Sequence, residues 1–357
     1  MSVHAHVKNL TPNSTSKMID LESVFNPSRY SRMSDWLIRD LGLSEIKINP
    51  LAADAGLRRY FRISPENRPT YVLMDAPTEH NDIKQFKYVS ELIQRSGINS
   101  PEIISENAAE GFLILSDLGD TTYLKALNTN TADRLFDEAM DALVKWQLAS
   151  EPTALPEYTE NILLSELNLF TDWYLAKHKG LTLQDDGLVA LKNVFRVIVS
   201  RNRSENFVFV HRDFMPRNLM VTENNPGVLD FQDALYGPIS YDVISLFKDA
   251  FITWEEERVL DWIIKYWEKA KKASLPVPHD FGVFYEQIEW MGVQRHLKVL
   301  GIFARLNYRD GKSSYISDTP RFVSYILAVA RRYQELKPLV SILERVEDSP
   351  STAGFTF

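Results

Sequence analysis

The chain has 357 residues, of which 45% are hydrophobic and 25% charged, and this is enough for two compact lobes with separate cores. Its 40 Lys and Arg residues against 48 Asp and Glu residues give a net charge of −8, which argues against nucleic acid or an anionic membrane surface as the main partner. Cysteine, long apolar runs and a signal-peptide pattern are all missing from the sequence, which excludes thiol chemistry, predicts no membrane span and fits a reducing cytoplasm.

The first third of the chain is predicted to be an arm followed by a small β-rich lobe. Residues 1–28 are polar and lack periodicity, so they are typical of a flexible arm. Residues 29–115 contain a short helix at 31–43 and a second helix at 82–96. They also contain five short β-rich runs, at 46–52, 59–64, 71–75, 102–105 and 112–115. We therefore expect a five-stranded antiparallel sheet with one helix, at 82–96, and the short helix at 31–43 packed on this lobe.

The rest of the chain is predicted to be mostly helical. Residues 116–120 interrupt all periodicity and are predicted to form a hinge, and residues 348–357 form a tail. Between them, from 121 to 347, helices are expected at 131–149, 161–178, 184–202, 240–252, 254–272, 281–307 and 320–345. The predicted fold class is therefore α+β, with a small antiparallel β lobe and a large helical lobe.

One hairpin interrupts the helical lobe and carries the residues that organise the function. Two short apolar strands, 207–210 and 219–221, flank a polar loop, and after a turn a third strand ends on Asp230. In the loop, Asp213 lies two residues after His211, and Asn218 lies five residues after Asp213. Asp230 follows Asn218 by twelve residues. This spacing is typical of a phosphoryl-transfer loop followed by a metal-binding aspartate.

Phosphoryl transfer explains why these residue types are needed. One carboxylate must orient the attacking hydroxyl and take its proton, and Asp213 fits that role. Mg²⁺ prefers hard oxygen ligands and uses one or two protein groups with phosphate oxygens and water, so the amide oxygen of Asn218 and the carboxylate of Asp230 are suitable ligands. His211 is predicted to brace the loop and not to act as a base. The sequence thus predicts a kinase that uses ATP and Mg²⁺.

These motifs resemble the aminoglycoside/choline kinase branch of the protein-kinase-like superfamily. The resemblance covers about residues 45–345 and includes the segment 237–243, which opens a helix and contains Asp242. It implies the two-lobed fold of that superfamily. It also implies that Asp242 is structural and binds the backbone of the catalytic loop.

A narrower resemblance suggests the substrate. The stretches 53–62, 72–77, 115–120 and 292–305 are similar to the bacterial N-acetylmuramate/N-acetylglucosamine anomeric kinases of cell-wall recycling. This resemblance implies phosphorylation of the anomeric hydroxyl to the sugar 1-phosphate, as a step of peptidoglycan recycling. It does not imply an oligomeric state.

One position departs from the family pattern. Most relatives carry a lysine on the third strand that pairs with the ATP phosphates, whereas the matching residue here is Met74. If Ile63 faces the adenine, strand alternation places Arg59 on the same side, so Arg59 is the candidate phosphate ligand, while Arg58 and Arg62 point away. In the hinge, the family resemblance implies that backbone groups, here of Ser116 and Leu118, bind the adenine edge.

The sequence carries few signals for the residues that contact the substrate. The predicted contacts are Arg217 and Asp233, which lie close to the catalytic motifs, and Glu166 and Arg295 from the helical lobe. Arg217 or Arg295 could pair with the lactyl carboxylate of N-acetylmuramate. Two other interpretations stay open: a kinase of another small hydroxyl substrate (aminoglycoside, choline, homoserine or methylthioribose), and a nucleotide-binding pseudokinase.

Overall fold

The structure, a computed structural model, describes residues 27–43, 46–51, 58–79 and 83–348. Two compact units make up the chain. The first comprises residues 1–81 and 104–116, and the second comprises residues 82–103 and 117–357. The predicted arm lies almost entirely outside the described residues, as does most of the predicted tail.

The first unit is an antiparallel sheet with a helix at its start. Helix α1 spans Pro27–Asp35 and continues as π-helical turns over Trp36–Asp40. Five strands follow in the sheet order β1-β2-β3-β5-β4: β1 Ile46–Pro50, β2 Arg59–Pro65, β3 Tyr71–Asp75, β4 Ile103–Asn107 and β5 Phe112–Ser116. The predicted five-stranded sheet is confirmed, with small shifts at the strand ends.

Strand alternation gives this sheet one face that is packed against α1 and the turns that follow it. On that face Phe61, Ile63 and Leu73 form a core with Trp36 and Leu37. The registers Phe61↔Leu73 and Tyr60↔Met74 show that neighbouring strands keep the same alternation, so Met74 lies on the opposite face. Burial of the large apolar side chains on the α1 face is the main source of stability for this unit.

The second unit is mostly helical. Its helices are α2 Ile83–Arg95, α3 Tyr123–Ala126, α4 Ala132–Leu148, α5 Glu160–Leu169, α6 Asp185–Arg203, α7 Tyr241–Phe247, α8 Glu256–Lys272, α9 Phe281–Tyr308, α10 Thr319–Ala330 and α11 Lys337–Asp348. Three predicted helices differ from the structure. The one at 240–252 ends at Phe247, and the one at 320–345 is broken between α10 and α11. The helix predicted at 161–178 becomes π-helical after Leu169.

Helix α2, predicted to belong to the first lobe, groups with the second unit. Its apolar stripe supplies the reason. Phe86 packs against Phe231 with ring centroids 5.1 Å apart. After the helix ends, Asn99 accepts a hydrogen bond from the backbone N–H of Val228 at 2.8 Å. Contacts distant in sequence therefore decide the grouping of this helix, and its own periodicity cannot.

The predicted hairpin splits into two small sheets. Strand β6, Phe207–Val210, pairs with β9, Leu235–Pro238, whereas β7, Leu219–Met220, pairs with β8, Gly227–Val228. The third strand was expected to reach Asp230, but it stops at Val228. Strand β9 was not predicted. The consequence is that the catalytic loop is held at both ends by different sheets.

Helix α9 is the longest in the second unit and is buried on most of its circumference. Asp280 begins it, because its side chain accepts a hydrogen bond from the N–H of Val283 at 3.1 Å. A helix that is buried on most of its circumference is typical of the centre of a helical domain. Among the described helices, none is at once long and apolar enough to cross a membrane.

Candidate active site

The backbone of the catalytic loop, which follows β6, is fixed by a buried aspartate. Asp242, in the first turn of α7, accepts hydrogen bonds from the backbone N–H groups of His211 at 2.6 Å and Arg212 at 3.0 Å. Arg212 has a φ of +74°, a conformation that is costly for a side chain with a Cβ and persists only when its surroundings hold it. The contact that the family resemblance implies for Asp242 is therefore present.

His211 is buried and braces the loop. Its Nδ1 atom accepts a hydrogen bond from the backbone N–H of Asp213 at 3.3 Å, and its ring meets Phe214 edge to face. Burial lowers the pKa of His211 to about 4. A neutral, engaged imidazole is a poor proton acceptor at neutral pH, and this supports the structural role predicted for it.

A tight turn brings Asp213 and Asn218 together. The backbone N–H of Met215 donates to the carbonyl of Asp213 at 2.9 Å, and the N–H of Asn218 donates to the carbonyl of Met215 at 2.8 Å. The side-chain Nδ2 of Asn218 also donates to the carbonyl of Asp213, at 2.9 Å. Because Nδ2 is used in this way, Oδ1 is the Asn218 atom that remains for a metal ion.

Asp230 reaches the same place from β8. The backbone N–H of Leu229, its neighbour in the chain, donates to the carbonyl of Asn218 at 2.9 Å. Asp230 itself has a φ of +63° and an exposed side chain. Its Oδ1 accepts a hydrogen bond at 2.8 Å from Nε2 of the buried Gln232. Sequence reasoning missed Gln232, although a polar residue between two aspartates after a strand was a usable signal.

These residues fit a magnesium ion. The amide oxygen of Asn218 and the carboxylate of Asp230 are both hard oxygen donors on adjacent, hydrogen-bonded segments. Within the described residues no group of three or more His, Cys, Asp or Glu side chains could hold a metal ion by itself. Two protein ligands completed by phosphate oxygens and water are what Mg²⁺ uses in kinases, whereas a site made wholly of protein ligands would need more.

The carboxylate of Glu166 is occupied by partners within the protein. Its Oε1 lies 2.6 Å from Nη2 of Arg212 and 2.8 Å from Nζ of Lys298, and its Oε2 accepts the hydroxyl of Tyr158 at 2.5 Å. The side chain is only 7% exposed. Because both oxygens are taken by side chains of the protein, the prediction that Glu166 binds substrate is corrected.

The other predicted substrate residues occupy different depths. Asp233 is exposed, and Arg217 is partly buried with its guanidinium over the ring of Phe251 at 5.1 Å. Arg295, on α9, is only 3% exposed, and its Nη2 meets the sulfur of Met215 at 3.7 Å. The structure thus brings Arg217 and Arg295 to the same loop, with Arg217 nearer to solvent.

Arg59 is placed differently from the prediction. Ile63 was taken to face the adenine, but it is fully buried in the core beneath α1, and Arg59 shares that face of β2. There Arg59 Nη2 lies 2.5 Å from Oδ2 of the buried Asp75, whose Oδ1 is 2.6 Å from Arg29. The alternation was correct, but the choice of face was not, because the apolar side chains are used to pack α1.

The two hinge residues fall at the junction of the two units in the sequence. Ser116 is the last residue of β5 and is opposite Tyr71 in the β3–β5 register. Leu118 follows in the second unit, after Asp117, whose Oδ1 accepts the backbone N–H of Gly119 at 2.9 Å. Asp117 is therefore a turn former, and the adenine contacts of Ser116 and Leu118 stay predictions.

Comparison with known proteins adds to this geometry. A family model described as "Phosphotransferase enzyme family" matches residues 47–276. The chain belongs to this phosphotransferase enzyme family. A relative from Neisseria meningitidis, named N-acetylmuramate/N-acetylglucosamine kinase, is 46% identical over 92% of the chain and 99% of its own length. A relative of the same name from Pseudomonas aeruginosa is 44% identical over 88% of the chain and 96% of its length. The family and its narrower branch, identified from motifs, are confirmed.

Solved structures share the fold of this phosphotransferase at low sequence identity. The choline kinase LicA from Streptococcus pneumoniae aligns with a TM-score of 0.61 at 12% identity, over 84% of this chain and 99% of that one. An ADP-bound aminoglycoside phosphotransferase, APH(2'')-Ib, aligns with a TM-score of 0.54 at 15% identity, over 84% and 98%. These similarities confirm the predicted fold class of the phosphotransferase.

Proposed function

We propose that this phosphotransferase transfers the γ-phosphoryl group of ATP to the anomeric hydroxyl of N-acetylmuramate or N-acetylglucosamine. The observation that carries the proposal is the 46% identity, over 99% of its length, to a relative named for these two sugars. The pre-formed loop of Asp213, Asn218 and Asp230 supports catalysis, because a protein that only binds nucleotide needs no base beside its metal ligands. We therefore favour an active kinase over a pseudokinase.

Asp213 is the proposed base. The loop backbone around it is held by Asp242 and by the side chain of Asn218, so the carboxylate approaches a bound hydroxyl from a fixed position. The anomeric hydroxyl of a sugar is more acidic than an ordinary alcohol. A plain carboxylate is therefore a sufficient proton acceptor for it.

Asn218 and Asp230 are the proposed magnesium ligands. When bound, Mg²⁺ neutralises phosphate charge that would otherwise repel the attacking oxygen. Gln232 orients Asp230, because its Nε2 donates to Asp230 at 2.8 Å; the same atom also donates to Asp233 at 3.3 Å. A carboxylate held in this way loses little freedom when a metal binds.

Arg217 is our candidate for the lactyl carboxylate of N-acetylmuramate. Its guanidinium is partly exposed and rests over Phe251, a combination that suits an anion on a sugar ring. Arg295 is buried and contacts Met215 of the same loop, and Asp233 is an exposed acceptor for a sugar hydroxyl. Since N-acetylglucosamine lacks the lactyl group, Arg217 should affect the preference between the sugars more than turnover.

The cellular setting is part of the proposal. The net charge of −8 and the lack of cysteine fit a cytoplasmic enzyme that acts on small sugars released from the cell wall. The proposed use of ATP as phosphoryl donor also fits the cytoplasm, where ATP is available.

The test is regiochemical. The protein is incubated with ATP, Mg²⁺ and either a free amino sugar or its methyl glycoside, and products are identified by phosphorus NMR. We expect a sugar 1-phosphate from the free sugars and no product from the methyl glycosides, whose anomeric oxygen is blocked. A phosphorylated methyl glycoside would contradict the anomeric assignment. Choline, aminoglycosides, homoserine and methylthioribose serve as competing acceptors, and faster turnover of one of them would replace the proposed substrate.

A further inference from the structure

A buried cluster of charged side chains lies behind the catalytic loop. Its centre is the carboxylate of Glu166 on α5. Oε1 of Glu166 lies 2.6 Å from Nη2 of Arg212 and 2.8 Å from Nζ of Lys298, and Oε2 accepts a hydrogen bond from the hydroxyl of Tyr158 at 2.5 Å. Lys298, on α9, also donates to the hydroxyl of Tyr241 at 2.9 Å. Two helices and the loop therefore meet at a single carboxylate.

Arg212 is the member of this cluster that belongs to the catalytic loop. It lies between His211 and Asp213 in the chain, so a shift of its Cα moves the proposed base. Its guanidinium is fixed on three sides: by Glu166, by the carbonyl of Asp233 at 3.4 Å, and by the ring of Tyr158 at 5.5 Å. Its left-handed backbone, with a φ of +74°, needs such external support.

The charges in the cluster are all retained. Burial opposes ionisation of Glu166, but Lys298 and Arg212 outweigh it and hold the pKa of this carboxyl below its ordinary value. Burial likewise opposes the charge of Lys298, whereas Glu166 raises its pKa above the ordinary value. One carboxylate thus faces two cations, and removing it would leave both without their nearest counter-ion.

We propose that Glu166, supported by Lys298, is a positioning residue that holds Arg212 and thereby sets the place of Asp213. This rests on the proposed function, because it concerns the loop that carries the proposed base. Stability alone is a weak reason for such a cluster, since apolar side chains of similar volume often stabilise a protein as well as a buried ion pair. A carboxylate that holds an arginine of a strained loop fixes the backbone of that loop, and this positions the neighbouring base.

The chain contains a matched control. Glu289, on α9, is 9% exposed, receives Arg332 at 2.6 Å and accepts the hydroxyl of Tyr333 at 2.5 Å. Its partners are therefore of the same kinds as those of Glu166, but they come from the segment after α10 and not from the catalytic loop. Glu289→Gln removes the same charge from the same kind of surroundings.

The first experiment compares Glu166→Gln with Glu289→Gln. We expect Glu166→Gln to lower kcat by about 10- to 100-fold while the KM for ATP changes by less than about twofold, because the loop shifts and nucleotide binding does not. Glu289→Gln should lose a similar amount of thermal stability and keep wild-type kcat. A kcat for Glu166→Gln no lower than that of Glu289→Gln would overturn the proposal.

A double variant separates positioning from charge balance. Glu166→Gln with Lys298→Met restores the wild-type net charge of the cluster, so its melting temperature should recover relative to Glu166→Gln. We expect kcat to stay low, because Arg212 still lacks its carboxylate. Recovery of kcat together with the melting temperature would show that the cluster serves stability only, and this would overturn the proposal even if Glu166→Gln alone failed to fold.

Hydrogen exchange gives a readout that needs no sugar. In the intact protein, Glu166→Gln should speed exchange of the backbone amides from His211 to Asn218, whereas Glu289→Gln should not. If the wild-type protein phosphorylated none of the amino sugars, the proposed function would fail, and this measurement would still decide the positioning role. Unchanged exchange of these amides in Glu166→Gln would contradict that role.

Discussion

At the scale of single residues, the catalytic loop is organised by carboxylates that do not react. Asp242 holds two backbone N–H groups, and Glu166 holds the side chain of the residue between His211 and Asp213. The proposed base is therefore positioned by partners on two different helices. A carboxylate placed in this way has less freedom to lose when the substrate arrives.

The base and the metal ligand should respond differently to substitution. Asp213→Asn keeps the size of the side chain but cannot accept the proton, so we expect kcat to fall by about 100- to 10,000-fold with nucleotide binding nearly unchanged. Asp230→Ala should also remove the Mg²⁺-dependent part of nucleotide binding, measured by titration calorimetry with and without the ion. Wild-type turnover of Asp213→Asn would show that another residue is the base.

We propose Arg62 as the cation that takes the place of the missing lysine. Arg62 lies on the Met74 face of the sheet, whereas Arg59 is tied to Asp75 on the α1 face. We expect Arg62→Ala to raise the KM for ATP, and Arg59→Ala to lower the free energy of unfolding by about 1–3 kcal/mol with a normal KM. Steady-state kinetics and urea unfolding of both variants test this. A normal KM for Arg62→Ala would point to Arg58, which has the same alternation.

At the scale of elements, the crossing of α9 and α5 depends on one glycine. Gly301 faces the last residue of α5, and a Cβ built there would come within 2.5 Å of the carbonyl oxygen and Cβ of Leu169. Such a distance is far inside van der Waals contact and involves backbone, which cannot turn away. Arg295 and Lys298 lie on the same helix, within about two turns before Gly301. The close approach of α9 to α5 at Gly301 therefore helps to place these two side chains.

Substitution of this glycine should therefore be costly. Gly301→Ala should lower the free energy of unfolding by about 1–3 kcal/mol or more, because the two helices must separate. Gly187 in α6 is the control, since a Cβ there meets only Leu183 Cδ2 at 3.7 Å. Gly187→Ala should raise stability by about 0.4–1 kcal/mol. Equal effects of the two substitutions in urea unfolding would contradict the close packing at Gly301.

At the scale of the whole molecule, buried carboxyl groups link folding to pH. Glu205, between α6 and β6, accepts the hydroxyl of Ser240 at 2.9 Å and its backbone N–H at 3.2 Å. Burial raises the pKa of Glu205 to about 8, and the hydrogen bonds from Ser240 oppose this only in part. Between its ordinary pKa and about 8 the folded protein thus keeps a proton that the unfolded chain releases.

The sign of the resulting pH dependence is fixed. The contribution of Glu205 to stability is fully present below its ordinary pKa of 4.5 and is lost as the pH rises through about 8. Glu205→Gln cannot ionise, so the stability of the wild type relative to this variant should fall across that range, by at most about 1.4 kcal/mol per pH unit. Urea unfolding at pH 5, 6, 7 and 8 measures it. A difference independent of pH would mean that Glu205 is ionised in the folded protein.

Local sequence pattern was enough to predict the elements and motifs that depend on residues close together in the chain. The spacing from His211 to Asp230, the five strands of the first unit and most helices followed from residue types at short range. The alternation along β2 was also predictable, since successive side chains must point to opposite faces. Motif resemblance carried this to the family, because the catalytic residues are close together in the chain.

Local pattern could not predict which side chains become neighbours in the folded protein. Which side of β2 is covered depends on α1, so Arg59 could not be assigned from alternation alone. The partner of Glu166 is 46 residues away in the chain, and no local pattern predicts that pairing. The same holds for β6, which pairs with β9 across the whole catalytic segment. The physical reason is that burial and ion pairing are set by neighbours in space, whereas periodicity reports only on neighbours in sequence.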